Sequence, residues 1–298
     1  MVSCTLSHAT PRMLLRAAAP APALGRAGIR CRTGPAAGLS SPAGLHRRPW
    51  LGRLRRALER ELFVVHYQPI VSLRDGRVAH YEALVRLADE RTGPPVPPGR
   101  FLPAAERYGL IREIDRFVLD AVAELLAGDA PGDARNGPRI ALNLSALSLT
   151  DPTMLTRIER TLERHAVAPS RLAFELTETA AITDMERARS FCAGVRALGC
   201  AVALDDFGAG FGSFQYLKQL PFDYLKIDGG FVRALPSSPK DQLVVQALVG
   251  LAQGMGKQTI AEYVGDRHTL GLLRRYGVDY AQGFEIGRPH PALSLAEL

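Results

Sequence analysis

RLAFELTETAAITDMERARSFCAGVRALGCAVALDDFG, residues 171–208, is the stretch on which the fold turns. Arg171–Glu178 is short and mostly apolar and reads as a strand. Asp184–Leu198 reads as a helix, which Gly199 ends, since glycine readily takes the backbone turn that closes a helix. Ala201–Phe207 is a second apolar strand, followed by the glycine-rich loop Gly208–Gly212. Two apolar strands joined by a helix make a parallel crossover unit.

The alternation continues outward in both directions. Upstream, Arg139–Ser145 is an apolar strand, and Asp151-Pro152 caps a helix running to about His165, with Pro in its first turn. Downstream come a strand at Tyr224–Asp228, a helix at Asp241–Met255 ended by Gly256, and a strand at Gln258–Val264. A helix at Arg267–Tyr276 and a last strand at Tyr280–Phe284 complete the series. Strands alternating with helices over this length point to an α/β barrel. The front of the chain is irregular. Leu54, Leu58 and Leu62 lie four apart, as on a short amphipathic helix. Phe63–Tyr67 reads as a strand that stops at Pro69, and Arg77–Leu87 as a second strand reached through the Asp75-Gly76 turn, so the two form a hairpin. Gly93–Gly99 is a loop, followed by helices at Phe101–Tyr108 and Ile111–Leu126, the latter with Ile114, Val118, Leu119, Val122 and Leu125 on one face.

Composition narrows the function. The 298 residues are 47% hydrophobic and 22% charged, a globular balance. The formal charge of +7 is carried by one end: residues 1–56 hold ten arginines and no acid. Without those ten, 27 basic groups face 30 acidic ones, so the folded part carries about −3 and no footprint for a nucleic-acid polymer. Residues 1–50, rich in Ala, Arg, Pro and Gly without a steady hydrophobic period, read as a disordered tail ahead of a domain at 51–298. A transit peptide, a linker from a longer protein and a start codon set too early all fit that composition. Cys4, Cys31, Cys192 and Cys200 form no CxxC pair and read as incidental thiols in a reducing compartment, the cytoplasm. No stretch approaches the roughly 20 apolar residues of a membrane span.

The apolar strands end in acids or amides: Glu82, Asn143, Glu175 and Glu178, Asp205-Asp206, Lys226 and Asp228, Glu262, and Gln282. An unpaired carboxylate flanked by core residues would cost several kcal/mol, so each needs a partner. A parallel barrel carries such strand ends to one rim, where barrel enzymes keep their sites. Acids outnumber bases there, so bound cations are the natural compensation, and oxygen donors without histidine favour Mg²⁺ or Mn²⁺ over Zn²⁺. Adjacent aspartates can bridge two metals at the spacing that clamps the attacking and leaving oxygens of a phosphate. Lys226 would then orient water, stabilise phosphate charge, or pair with a rim acid.

At Glu82-Ala-Leu-Val-Arg86 the sequence resembles the EAL family of cyclic di-GMP phosphodiesterases. The resemblance runs over roughly residues 60–298, through Tyr67-Gln-Pro-Ile70, Asn143-Leu-Ser145, Glu175-Leu-Thr-Glu178, Asp205-Asp-Phe-Gly208, Leu225-Lys-Ile-Asp228, Ala261-Glu262 and Gln282-Gly283. Eight ordered motifs at strand ends are far more specific than three letters. The resemblance implies a TIM-like (β/α) barrel of the EAL type with one antiparallel strand. It implies hydrolysis of cyclic di-GMP to linear pGpG with two Mg²⁺ or Mn²⁺ per site. Glu82, Asn143, Glu175, Asp205, Asp206 and Glu262 match the metal ligands, with Lys226, Glu262 and Glu82 in catalysis. Gln68, Leu84, Arg86 and Gln282 match substrate contacts, and Glu178 the glutamate that steadies the loop after Asp206. The family also implies a homodimer through the barrel and that loop, with regulation from a partner or from an upstream sensory or GGDEF domain. Two departures stand out. The family usually reads Ala-Glu-Gly-Val-Glu where this chain has Ala261-Glu-Tyr-Val-Gly265, and commonly has Thr and Tyr-Ser in place of Ala209 and Phe211-Gly212. The alternatives to this hydrolase are a weakened or silent EAL domain that senses cyclic di-GMP or contacts a protein, and a barrel enzyme for another phosphodiester.

Overall fold

Apolar strands buried along most of their length close on themselves here. The computed structural model describes residues 48–89, 93–128, 137–208 and 214–293, all within one unit, Pro42–Leu298. Helix α1 (Arg48–Glu59) precedes β1 (Phe63–Ser72) and β2 (Val78–Leu87). Next come α2 (Leu102–Arg107), α3 (Ile111–Ala127), β3 (Arg139–Asn143), α4 (Ala146–Leu149), α5 (Met154–His165) and β4 (Leu172–Thr177). Then α6 (Glu178–Thr183) and α7 (Met185–Ala197) lead to β5 (Ala201–Phe207) and β6 (Tyr224–Ile227). The chain ends through α8 (Gly229–Ala234), α9 (Pro239–Gly254), β7 (Gln258–Ala261), α10 (Arg267–Tyr276) and β8 (Tyr280–Gln282). The strands form a closed barrel in chain order, β1 through β8. β1 is antiparallel to both its neighbours, β2 and β8, and every other pair is parallel.

Three local expectations need correction. β1 does not stop at Pro69 but runs on to Ser72. Both backbone groups of Tyr67 bond to His290, away from β2. Pro69, two residues on, points its nitrogen to that same side, so its missing N–H leaves the β1–β2 ladder intact. Helix α5 starts at Met154, and the Asp151 carboxylate accepts from Thr153 N–H and hydroxyl just ahead of it. On α3, Leu126 is buried and Leu125 only partly so. The short helices α4, α6 and α8 were not read from the sequence, because four to six residues carry too little periodicity. The expected disordered tail lies outside the described residues apart from its last three, which open α1, and so does the loop at 209–212.

The main core lies between the sheet and the surrounding helices, and includes Val118, Leu119, Ile158, Phe174, Phe191 and Val249. A second cluster joins Leu54 of α1, Phe63, Leu87, Phe101 and Ile114 at the start of β1. Inside the barrel, at the end opposite the strand-end acids, small Ala141, Ala173, Ala201 and Ala203 leave room for Tyr224, Ile260 and Tyr280. His80 is wedged against both tyrosine rings, at centroid distances of 5.1 and 4.8 Å.

Candidate active site

Every strand of the barrel delivers one polar group to the same end. β1 gives Gln68, β2 Glu82, β3 Asn143, β4 Glu175, β5 Asp205 and Asp206, β6 Lys226 and β8 Gln282, while Glu262 directly follows β7. The register explains the convergence: Gln68 pairs with Glu82, Asn143 with Glu175, and Ile70 with Gln282. Period-two alternation turns these side chains, Asp206 apart, into the barrel and their neighbours out into the core.

Lys226 is the hub. Its side chain has no exposed surface, and Nζ lies 2.6 Å from Glu175 Oε2, 2.8 Å from Glu262 Oε1, 3.0 Å from Asp205 Oδ1 and 4.0 Å from Glu82 Oε1. Burial opposes the ammonium charge, but Asp205, Glu175, Glu262 and Glu82 overcome it and hold its pKa well above the ordinary lysine value. Burial acts the other way on the acids. It raises the Glu175 pKa well above the carboxylate range despite Lys226, and Glu82 and Asp205 add to the shift. Burial, with Asp205 and Glu82, pushes Glu262 up to about 8 against the pull of Lys226. Asp206 is raised by burial and by Asp205 beside it.

A chain of amides ties the remaining acid in place. Glu82 accepts from Asn143 Nδ2 at 2.6 Å and from Gln282 Nε2 at 2.6 Å. Gln282 also reaches Gln68 Oε1 at 3.2 Å, and Gln68 Nε2 donates to Gly287 O at 3.0 Å. The loops after β7 and β8 come together because Gly283 has no side chain: a Cβ there would overlap the backbone of Val264, whose N–H donates to Gln282 O.

The donors suit a hard cation. Asp205, Asp206 and Glu262 each offer an oxygen within 4.8 Å of the others. Glu175 Oε1 is buried without a hydrogen-bond partner, an acceptor that calls for a positive charge. Five carboxylates against one ammonium leave an excess that cations would balance. Asp206 itself has φ 53°, a left-handed backbone, and offers its oxygen beside that of its neighbour Asp205.

Other expected residues stand further off. Glu178, at the start of α6, accepts from Gly208 N–H at 3.0 Å, across the turn that follows Asp206. Arg86 donates to the Val85 carbonyl, and burial lowers its pKa, with the Glu82 charge opposing in part. Leu84 is half-buried on the same strand. Gly265 faces open space: an added Cβ would meet only Tyr263 O, at 4.0 Å. Asp266 does not take its place, because its two oxygens cap α10 through Thr269 N–H at 2.8 Å and Thr269 Oγ1 at 2.9 Å.

Two exposed aromatics flank the ring, and sequence reasoning did not single them out. Tyr263 follows Glu262 and is 59% exposed, with the Arg233 guanidinium 4.5 Å over its ring. Phe284, two residues past Gln282, is 62% exposed, with Arg288 4.2 Å over its ring. The available signal was an aromatic directly after a strand-end polar residue. No helix among the described residues is long and apolar enough to cross a membrane.

Known proteins resemble this chain in sequence and fold. MucR of Pseudomonas aeruginosa, a bifunctional diguanylate cyclase/cyclic di-GMP phosphodiesterase, is 38% identical over 242 residues, 81% of this chain and 35% of its own length. The cyclic di-GMP phosphodiesterase PdeB of Shewanella oneidensis is 36% identical over 248 residues, 83% of this chain and 29% of its own. The chain thus spans about a third of the length of these curated relatives. The solved structure of the PaMucR phosphodiesterase in complex with c-di-GMP superposes with a TM-score of 0.76 at 37% identity, covering 82% of this chain and 98% of that one. The EAL domain model matches residues 51–289, which takes in every strand and the whole carboxylate ring, and the chain belongs to the EAL domain family.

Proposed function

We propose that this chain hydrolyses cyclic di-GMP to linear pGpG at the ring of carboxylates around Lys226, with Mg²⁺ or Mn²⁺ as cofactor. The observation that carries the reading is that ring: five acids from four strand ends, an unpartnered oxygen on Glu175, and one fully buried ammonium among them. The names of the relatives support the choice of substrate.

Glu82, Asn143, Glu175, Asp205, Asp206 and Glu262 would hold the metal, and five ionised acids less one ammonium leave a charge that two divalent ions balance. Such ions would offset phosphate charge and ready a water for attack. The rest falls to the protein. Lys226 keeps its proton under the pull of three acids and so offers donors to a water or a phosphate oxygen beside them. Glu262 and Glu82, whose oxygens lie 2.8 and 4.0 Å from Lys226 Nζ, would share with it the placing of the attacking water. Gln68, Leu84, Arg86 and Gln282 face the substrate in this reading. Glu178 steadies the turn after Asp206 by accepting from Gly208 N–H. Cyclic di-GMP is an intracellular messenger, which makes the cytoplasm the compartment of this activity.

Incubation of the purified chain with cyclic di-GMP and Mn²⁺ or Mg²⁺ tests the proposal, with pGpG read by chromatography. The expected result is metal-dependent product that Glu82→Ala removes. Measurable binding with no pGpG would overturn the enzyme and leave a sensor, and undiminished turnover in Glu82→Ala would overturn the metal assignment.

A further inference from the structure

We infer that Tyr263, packed against Gly229 and Arg233 of α8 beside the carboxylate ring, is a stacking platform for a nucleobase of the substrate. This rests on the phosphodiesterase reading and names one determinant of its affinity.

Tyr263 pays a conformational penalty for its place. Its φ is 54°, in the left-handed region that aromatic residues rarely enter, whereas glycine would adopt it freely. Backbone strain of this kind persists where surrounding structure enforces it, and it gathers at ligand sites. The enforcing contacts are visible. Gly229, at the start of α8, lies so close to the tyrosine that an added Cβ would overlap Tyr263 Cδ2. The Arg233 guanidinium, one helical turn further on, sits 4.5 Å from the ring centroid.

Packing alone does not account for that effort, because 59% of the residue is left accessible. Among the described residues the exposed large hydrophobics include just two aromatics, Tyr263 and Phe284, and each lies two residues past a strand that brings a site residue to the rim. The ring also lies within electrostatic reach of Glu262, Asp206 and Glu82. The surroundings are therefore ionic, and a nucleotide whose phosphate meets that ring needs a flat apolar surface nearby for its base. An aromatic face serves any base, since each has a π surface, and the neighbouring guanidinium adds a positive charge that suits a phosphodiester.

The test compares Tyr263→Gly and Tyr263→Phe with the unaltered chain. Glycine accepts the local backbone without strain, so the first variant keeps the fold, and its Mn²⁺ affinity should stay within about twofold. Loss of one stacked base is expected to raise KM for cyclic di-GMP about tenfold with kcat little changed, and Tyr263→Phe should retain the original KM. An unchanged KM in Tyr263→Gly would overturn the platform. So would equal impairment of both variants, which would assign the effect to the hydroxyl. If the unaltered chain binds cyclic di-GMP without turning it over, the phosphodiesterase reading fails on its own. The platform is then read from the dissociation constant in Ca²⁺: about tenfold weaker in Tyr263→Gly upholds it, and no change overturns it.

Discussion

Lys226 Nζ and Glu175 Oε2 lie 2.6 Å apart with neither side chain exposed to solvent. A charge pair this deep is costly to assemble and more costly to break, because removal of one partner leaves the other buried and uncompensated. Lys226→Met is expected to destabilise the metal-free protein by about 3–5 kcal/mol. Saturating Mn²⁺ should restore much of that loss, since the cation replaces the missing charge. Urea unfolding with and without Mn²⁺ checks this, and an equal loss in both conditions would contradict the role given to the ammonium.

Proton release should accompany metal binding. Glu262 is held at about 8 in the folded chain by burial, against 4.5 ordinarily, so the metal-free fold binds a proton that the unfolded chain gives up. The stability from that proton is complete below about pH 4.5 and fades as pH rises through about 8. A cation must displace it, so Mn²⁺ affinity should climb by up to ~10-fold per pH unit below pH 8 and level off above. Calorimetry in buffers of different ionisation enthalpy reports the released proton, and a flat affinity from pH 6 to pH 8 would count against this assignment.

Gly265 offers a gain of function. The position has room for a Cβ, whose nearest neighbour would be Tyr263 O at 4.0 Å. Gly265→Glu should raise kcat severalfold while leaving the melting temperature in place. Asp266→Ala should lose about 1 kcal/mol of stability through the α10 cap and little activity. Reversed outcomes, with activity falling in Asp266→Ala and unchanged in Gly265→Glu, would mean that Asp266 serves the site after all.

His80 sets the acid limit of the fold. Burial among tyrosines, with Arg139 nearby, pushes its pKa down to about 3, and neither ring nitrogen has a hydrogen-bond partner. The unfolded chain therefore takes up a proton near pH 6.5 that the folded chain refuses until about 3, so stability falls as pH drops between those values. His80→Phe keeps the ring contacts and removes two unsatisfied nitrogens. It should gain about 1 kcal/mol and flatten the acid side of the stability profile, as measured by denaturant unfolding at pH 5 and pH 7.

The barrel was legible because strand and helix lengths alternate so regularly from Arg139 onward, and because apolar strands that end in acids have few other uses. The continuation of β1 through Pro69 was not, since it depends on which side of the strand a nitrogen faces, and that is settled by His290 more than two hundred residues away. The ring residues could be named from strand ends, but not the division of labour among them. That Lys226 meets three acids while Glu82 is held by amides follows from register, which no local pattern encodes. Tyr263 was passed over in favour of Gly265 in the same motif, since its strained backbone and its seat on Gly229 exist only in three dimensions.

The reversal of β1 has a consequence for traffic. Phe63, where β1 begins, pairs with Leu87, where β2 ends, and α1 packs beside them through Leu54. In a regular barrel the first strand starts at the far end from the working rim. Here the polypeptide comes into the barrel at the same end as the carboxylates, so the doorway of the fold and the doorway of the site lie on one side of the molecule.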